Sequence, residues 1–267
     1  MKTITALLAI AFMFAATAAP VFAEGANVLL APAPIHRLDD ESLQRGARTF
    51  VNYCLTCHTA KYMRYQRLTD LGLSEQDIKG NLILTGAKIG DTMTVAMPAA
   101  DAKAWFGAAP PDLSVEARVR GADWLYNYLT GFYRDPKSVT GWNNLVFHNV
   151  GMPHVLAKLQ GTNKAVETEY EDHEKALAAA IAAKGLVGID PAAGGKWTVT
   201  TLVTETPGTM TQAQYAGTVA DLVNYMDYMA EPAKNQRIRL GMLVLLFLGI
   251  LFVFAWLLKH EYWRDVH

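Results

Sequence analysis

The sequence predicts a mainly α-helical domain followed by one C-terminal membrane helix. Apolar residues recur at helical spacing from Leu43 to Cys54, and again in a stretch that Thr211 precedes and that continues to Met229. The chain then runs from Leu240 to Leu258 without a charged residue. At about 1.5 Å per residue such a helix spans roughly the 30 Å hydrocarbon core of a bilayer. Because it has no polar face, we predict a membrane anchor and not a buried helix of a soluble protein.

The N-terminus has the form of a secretory signal. A charged start at Lys2 precedes an apolar run, which ends in Pro20-Val21-Phe22-Ala23. We expect cleavage after Ala23; an uncleaved anchor is the alternative, but the apolar run is short for one. The predicted organisation is a signal peptide at 1–23, an exported domain at 24–233, a membrane anchor at 234–259 and a tail at 260–267.

The charges beside the anchor conflict with export. Lys234, Arg237 and Arg239 precede it, whereas only Lys259 and Arg264 follow, so the flanking charge slightly favours the opposite orientation. We expect the signal peptide to decide, because it commits the large domain to export. The domain is therefore predicted in the periplasm of a bacterium, with the tail in the cytoplasm.

Charge and cysteine content narrow the class of function. The formal net charge is −1, so no nucleic-acid-binding surface is indicated. The chain has 2 cysteines, Cys54 and Cys57, and they lie three positions apart. No thiol remains for a disulfide framework, and the fold must depend on its core and on a cofactor.

Both cysteines belong to Cys54-Leu55-Thr56-Cys57-His58, which reads C-x-x-C-H, the pattern for covalent attachment of one c-type haem. Each thiol adds to a haem vinyl group, and His58 becomes the proximal ligand of the iron. A thiol–disulfide site is the alternative, because C-x-x-C alone supports that chemistry. Such sites usually follow a strand, whereas a helix is predicted before this motif. We therefore predict a single covalent haem c.

Spacing alone does not choose the sixth ligand of the iron. A thioether would stabilise ferrous iron and raise the potential relative to two imidazoles, which suits an electron carrier. Met97-Pro98 and Met152-Pro153 have the same local form, and a proline after the ligand would stiffen its loop. His148 and His154 flank Met152, so a bis-imidazole site stays open. The core methionines are predicted to be Met93, Met226 and Met229.

Local signals predict several other elements. Asp39 or Asp40 is expected to cap the first helix, in which Gly46 indicates either a close helix crossing or chance. Ser74 is predicted to begin another helix. Ser114 is expected to cap a helix that carries Trp124 and Tyr128 and stops at Gly131.

The segment that precedes the last helix of the domain has weaker signals. Thr162 to Lys184 is polar and then alanine-rich, and we predict a surface helix there. Gly185 to Gly195 is predicted as a loop. Lys196 to Thr200 alternates weakly, as in a short strand.

Four further blocks accompany the haem motif: Pro110-Pro111-Asp112-Leu113-Ser114 followed by Arg118-Val119-Arg120, Val150-Gly151-Met152-Pro153, Thr209-Met210-Thr211, and Ala230-Glu231-Pro232 before the anchor. With these blocks the chain resembles the cytochrome c1 family, the membrane-anchored haem subunits of cytochrome bc1 complexes. With the haem motif the blocks cover nearly all of the mature chain in the family's order. Pro110-Pro111-Asp112-Leu113-Ser114, called the proline block below, and the anchor are more specific to this family than C-x-x-C-H, which all c-type cytochromes share.

The resemblance implies the fold and the roles of several residues. It implies a class I cytochrome c-like haem domain with long loop insertions. Met152, not Met97, would be the axial ligand, and Arg120 would lie near a haem propionate, with Arg118 as the second choice. Pro110 and Pro111 would help to form the wall of the haem pocket. The chain departs from mitochondrial members in lacking extra cysteines and in its alanine-rich insertion, 162–195, whose role the resemblance leaves open.

The function implied by the resemblance is electron transfer in ubiquinol–cytochrome c reductase. The haem would accept an electron from a Rieske iron–sulfur protein and pass it to cytochrome c, beside cytochrome b and in a dimeric complex. No residue of this chain would act as acid, base or nucleophile. The alternatives are a free membrane-tethered cytochrome c that serves a terminal oxidase, and a haem peroxidase, against which a methionine ligand argues.

Overall fold

The computed structural model describes residues 28–95, 97–183 and 185–264, so the predicted signal peptide lies outside the described residues. About half of the described residues are helical, and the helix nearest the C-terminus is long and apolar, which confirms the predicted fold class. The α-helices, numbered along the chain, are α1 (Asp40–Thr49), α2 (Glu75–Asn81), α3 (Ala99–Phe106), α4 (Glu116–Arg120), α5 (Ala122–Thr130), α6 (Ala157–Gln160), α7 (His173–Ala182), α8 (Gln212–Ala230) and α9 (Lys234–Tyr262).

The strands are short in the first half of the chain and longer in the second. They are β1 (Val28–Leu29), β2 (Ala60–Arg64), β3 (Thr92–Met93), β4 (Phe132–Arg134), β5 (Trp142–Asn144), β6 (Gly161–Tyr170), β7 (Val187–Pro191) and β8 (Trp197–Pro207). A π-helical turn, Phe50–Cys54, continues α1, and a 3₁₀ helix, Tyr65–Leu71, follows β2.

The main core lies where α1 crosses α8. At the crossing the two backbones come so close that a Cβ on Gly46 would lie 2.0 Å from the carbonyl oxygen of Asp221. The rings of Phe50 and Tyr225 meet beside it at 5.6 Å, and both are fully buried. Arg45 closes the edge of the crossing with two hydrogen bonds to the Asp221 carboxylate. The close helix crossing is thus the correct explanation of Gly46.

Helix N-termini lie where the sequence predicted them. The Asp39 side chain accepts a hydrogen bond from the Ser42 N–H at 3.0 Å, and Ser74 caps α2 through the Asp77 N–H. Thr211 and Gln214 form a reciprocal capping box at the start of α8. Each cap satisfies backbone N–H groups that have no partner inside the first helical turn.

The helix predicted from Ser114 to Gly131 is instead two helices. Gly121 separates α4 from α5 with φ of +88°, a conformation that L side chains rarely adopt. Ser114 does not cap α4; its hydroxyl accepts the backbone N–H of Tyr62. The prediction was wrong because this serine serves a long-range contact.

The region from 161 to 207 forms a sheet, so the prediction of a surface helix from Thr162 to Lys184 was only partly right. β6 pairs with β8 in antiparallel register from Gly161–Pro207 to Tyr170–Trp197, and α7 covers only the alanine-rich part. β7 lies in the predicted loop, 185–195, and pairs with β8 on its other side. The six-stranded sheet has the order β1-β7-β8-β6-β4-β5. Local periodicity did not predict it because β6 pairs with β8 across the intervening α7 and β7.

The last described helix, α9, is suited to cross a membrane. Within its stretch Gln236–Tyr262 the most apolar 18 residues have a mean hydropathy of 2.8, and the large apolar side chains of α9 are exposed on all sides. Arg237 and Glu231 form an ion pair at the junction with the domain. The helix is consistent with a single-pass membrane anchor.

Candidate functional site

The C-x-x-C-H motif lies at the C-terminal end of α1. The π-helical turn ends at Cys54, whose carbonyl oxygen accepts hydrogen bonds from the backbone N–H groups of Cys57 and His58, at 3.1 and 2.9 Å. The motif is therefore a tight turn anchored to a helix that the α8 crossing holds in place. π-Helical turns occur often at functional sites.

The two thiols do not have the environment of a thiol–disulfide enzyme. Cys54 is buried, and Cys57 is partly exposed. Burial, together with the neighbouring Cys57, raises the pKa of the Cys54 thiol to about 12. An exchange enzyme needs a lowered thiol pKa. A helix and not a strand precedes the motif, so two features oppose this alternative.

The His58 imidazole is oriented by the proline block. Its Nδ1 lies 2.8 Å from the carbonyl oxygen of Pro111, and because a carbonyl only accepts, Nδ1 carries the proton and donates. Burial lowers the pKa of His58, which the Pro111 hydrogen bond only partly opposes, so the ring is neutral. The unprotonated Nε2 is then available to a metal ion, an arrangement typical of metal-ligating histidines.

Asp112 fastens the proline block to the chain just after His58. Its carboxylate accepts hydrogen bonds from the Thr59 hydroxyl at 2.7 Å, the Lys61 N–H at 3.0 Å and the Ser114 N–H at 2.9 Å. Burial alone would raise the pKa of Asp112, but these hydrogen bonds outweigh it and lower the pKa. The Leu113 N–H also donates to the Thr59 carbonyl. The Pro-Pro-Asp-Leu-Ser sequence thus fixes the carbonyl that orients His58.

Met152 lies half-buried against an aromatic cluster. The buried residues of this cluster are Phe132, Trp142 and Val150, and the Tyr128 ring packs against them. The Tyr128 hydroxyl donates a hydrogen bond to the Met152 sulfur at 3.5 Å. The thioether therefore has a defined position.

Two adjacent buried asparagines shape the loop that leads to Met152. The Asn143 side-chain oxygen accepts the N–H of Asn149, at 2.8 Å, and that of its neighbour Asn144. The Asn144 oxygen accepts the N–H groups of Val146 and Phe147, while its amide donates to the Tyr128 carbonyl at 2.7 Å. Asn149 has φ of +57°, as the turn requires.

The two arginines that follow Pro110–Ser114 have different partners. The Arg120 guanidinium lies over the Trp124 ring at 4.6 Å and is hydrogen-bonded to Glu116, while its tip remains exposed. Arg118 acts instead on Glu231, whose pKa it helps to lower after the larger effect of Arg237. Arg120 is therefore the better placed of the two for a ligand beside α5.

The other candidate iron ligands have different surroundings. His154 is buried and stacks on the Phe132 ring at 4.8 Å, and burial lowers its pKa to about 4. His148 is exposed and lies 3.8 Å from Asp190. Met97 is half-buried in the loop before α3. The predicted core methionines, Met93, Met226 and Met229, are indeed buried.

The sequence did not indicate the role of several residues of the site. Tyr128 was predicted only as part of the apolar face of a helix, although its hydroxyl contacts the sulfur of Met152. Asn143 and Asn144 form the loop, and their adjacency in an irregular stretch was the only signal. The role of the Pro111 carbonyl had no local signal, because its partner is 53 positions away.

The residues present fit a haem c. The donor set consists of two free thiols, an imidazole with a free Nε2 and a positioned thioether. Apolar side chains are exposed in and just before α4 and in the loop that leads to Met152: Val119 at 70%, Val115 at 40% and Phe147 at 45%. The centre of the Phe147 ring also lies 6.0 Å from the guanidinium of Arg120, the last residue of α4. Uncovered apolar surface of this kind is expected where a large apolar group binds.

Comparison with known proteins identifies the family. The model of the Cytochrome C1 family matches residues 31–184 and 199–266. The chain is 42% identical over 262 residues to cytochrome c1 of Allochromatium vinosum, covering 98% of each chain. It is 49% identical over 243 residues to a protein of Nitrosomonas europaea named ammonia monooxygenase gamma subunit, covering 91% of each. It is also 31% identical to cytochrome c1 of Rhodospirillum rubrum, over 86% of this chain and 84% of the relative. The chain therefore belongs to the cytochrome c1 family.

Proposed function

We propose that this chain is the c-haem electron-transfer subunit of a ubiquinol–cytochrome c reductase. It would accept an electron from the Rieske iron–sulfur protein and pass it to cytochrome c. The observation that carries the proposal is the hydrogen bond from His58 Nδ1 to the Pro111 carbonyl, which leaves Nε2 free beside two unpaired thiols. That arrangement, in a member of the cytochrome c1 family, supports haem ligation over thiol chemistry.

The residues have distinct roles in this proposal. Cys54 and Cys57 would hold the haem covalently, and His58 and Met152 would bind its iron. Arg120 would bind a propionate, for which a guanidinium is suited, and Pro110 and Pro111 would form part of the pocket wall. The bound haem supplies a one-electron change in the valence of its iron.

The contribution of the chain is to keep the donors in place while charge changes. The Pro111 carbonyl holds the His58 ring and increases its basicity, and Asp112 holds that carbonyl in place. The Tyr128 and Asn144 contacts hold the methionine loop. Electron transfer requires no acid, base or nucleophile, so the buried neutral state of His58 is sufficient.

The proposed location is the cytoplasmic membrane of a bacterium. The anchor, residues 234–259, would cross it once, with the haem domain in the periplasm and the tail, 260–267, in the cytoplasm. Partners would be cytochrome b and the Rieske protein within a dimeric complex. The exposed apolar surface of α9 supports the membrane assignment, and the bacterial relatives support the compartment.

Purification from native membranes in mild detergent tests the proposal. We expect the chain to co-purify with a b-type haem protein and an iron–sulfur protein, and to show the visible spectrum of a single c-type haem. A solitary haem protein would contradict the complex and favour a tethered cytochrome c. Co-purification with an ammonia-oxidising enzyme would contradict it as well, and would agree with the name of the Nitrosomonas europaea relative.

Paired substitutions test the ligand assignment. Met152→Ala should leave the haem attached, lower its potential sharply and let the ferrous protein bind carbon monoxide, because the thioether that stabilises ferrous iron is lost. Met97→Ala is the matched control, since Met97 has the same Met-Pro context. The assignment is wrong if Met97→Ala has these effects and Met152→Ala has none.

A further inference from the structure

Among the described residues, the Tyr128 hydroxyl is the one hydrogen-bond donor to the thioether of Met152, the candidate ligand. The phenol donates to the sulfur at 3.5 Å, within the usual range for sulfur acceptors. A thioether has two lone pairs, so a sulfur that binds a metal through one of them can still accept a hydrogen bond through the other. The hydroxyl therefore need not leave when the ligand binds.

Two aromatic neighbours hold the Tyr128 ring, and one hydrogen bond holds its backbone. It stacks on Trp124 at 4.9 Å with an interplanar angle of 10°, and it meets Phe132 edge to face at 5.2 Å. The Asn144 amide donates to the Tyr128 backbone carbonyl at 2.7 Å. Because the ring has little freedom to turn, its hydroxyl has a fixed position relative to Met152.

A phenol has an ordinary pKa of about 10, so it is protonated and neutral near pH 7. The Tyr128 hydroxyl is therefore a donor at that pH.

We propose that the Tyr128 hydroxyl is a built-in donor to the axial thioether and that it raises the reduction potential of this centre. The inference rests on the function proposed above, since it needs a haem iron bound by Met152. Tyr128 is a positioning residue, because it touches the ligand and not the iron.

The direction of the effect follows from the dipole of the hydroxyl. Reduction adds one negative charge at the iron, and the positive end of the O–H dipole points toward the ligand that touches the iron. It therefore stabilises the ferrous state more than the ferric state. Donation to the sulfur also draws electron density from the thioether, which makes it a poorer donor to ferric iron. Both effects raise the potential.

Tyr128→Phe tests the proposal, because it removes one oxygen and keeps the ring in the stack. The matched control is Tyr126→Phe, two residues earlier in α5, where no hydrogen bond of the hydroxyl is found among the described residues. The full-length haem-loaded protein is titrated potentiometrically, and carbon monoxide binding to the ferrous form reports the sixth ligand. Loss of one neutral hydrogen bond should shift the redox equilibrium about two- to tenfold toward the oxidised form. For a one-electron couple this is a fall of roughly 20 to 60 mV.

The expected result is a lower potential for Tyr128→Phe alone, with no carbon monoxide binding in either variant. Equal potentials in Tyr128→Phe and the wild type would overturn the inference while leaving methionine ligation intact. A fall accompanied by carbon monoxide binding would also overturn it, because the tyrosine would then only keep the ligand attached. An unchanged potential in Met152→Ala would instead refute the ligand on which the proposed function relies.

A measurement on the unsubstituted protein covers the case in which Tyr128→Phe does not fold. In the ferrous protein, a slowly exchanging hydroxyl proton should show a nuclear Overhauser contact with the Met152 methyl group. Absence of that contact, with both resonances assigned, would overturn the proposal.

Discussion

Gly46→Ala should destabilise the domain, because the added methyl group has no space at the α1–α8 crossing. Its Cβ would lie 2.0 Å from the Asp221 carbonyl oxygen and 2.7 Å from the Tyr225 Cβ. Both are fixed by helix α8, so no side-chain rotation relieves the overlap and the helices must separate. Overpacking costs about 1–3 kcal/mol and occasionally more, and a contact this short belongs at the upper end. Alanine recovers about 1 kcal/mol of helix propensity.

The expected net loss is about 2 kcal/mol, which lowers the melting temperature by roughly 4–8 °C in a domain of this size. Circular dichroism of the full-length protein during heating measures the shift. Gly217→Ala is the control, because Gly217 lies inside α8 and a Cβ there meets nothing within 4 Å. The control should raise the melting temperature slightly. A Gly46→Ala protein that melts at or above the wild-type temperature would refute the description of the crossing.

Two further substitutions test the contacts around the site and the last domain helix. Asp112→Ala should lower the melting temperature near neutral pH, because the hydrogen bonds that lower the pKa of Asp112 stabilise its charged form. The difference in melting temperature between wild type and variant should be complete above about pH 4 and should shrink at lower pH. Melting curves at several pH values check this, and a difference that grows toward acid would contradict it. Thr211→Ala breaks the capping box with Gln214 and should cost about 1 kcal/mol, seen as a lower melting temperature that Thr211→Ser does not share. Equal losses in both Thr211 variants would contradict the cap.

The sequence was sufficient for the parts of the fold that depend on local signals. Asp39, Ser74 and Thr211 are caps because their side chains reach N–H groups three positions away, which is a property of the local sequence. The long apolar helix α9 was predictable for the same reason, since its apolar run is continuous in the sequence.

The sheet was not predictable in the same way. β6 carries polar and charged residues such as Glu167 and Glu169, and its partner strand begins at Trp197. Its stability comes from that distant pairing and from α7, which packs Ala176 and Ala180 against the buried strand residues. Neither contact leaves a periodic pattern in the segment itself.

Only part of the candidate site could be predicted from the sequence. The C-x-x-C-H motif is recognisable in the sequence, whereas the residues that form hydrogen bonds with the candidate ligands lie far away in the chain. The Pro111 carbonyl reaches His58, and Tyr128 reaches Met152. Resemblance to a family supplied the proline block and the choice of Met152, which spacing alone had left equal to Met97. In the structure, this block positions the Pro111 carbonyl that accepts the hydrogen bond of His58.

The central claim is that this chain relays electrons from a quinol-oxidising complex to cytochrome c. Stopped-flow visible spectroscopy of the purified native complex tests it most directly. Addition of ubiquinol should reduce the c-type haem of this chain, removal of the iron–sulfur protein should prevent that reduction, and oxidised cytochrome c should then reoxidise the haem. A c-type haem that stays oxidised in the intact complex after ubiquinol, or that stays reduced in the presence of oxidised cytochrome c, would contradict the account.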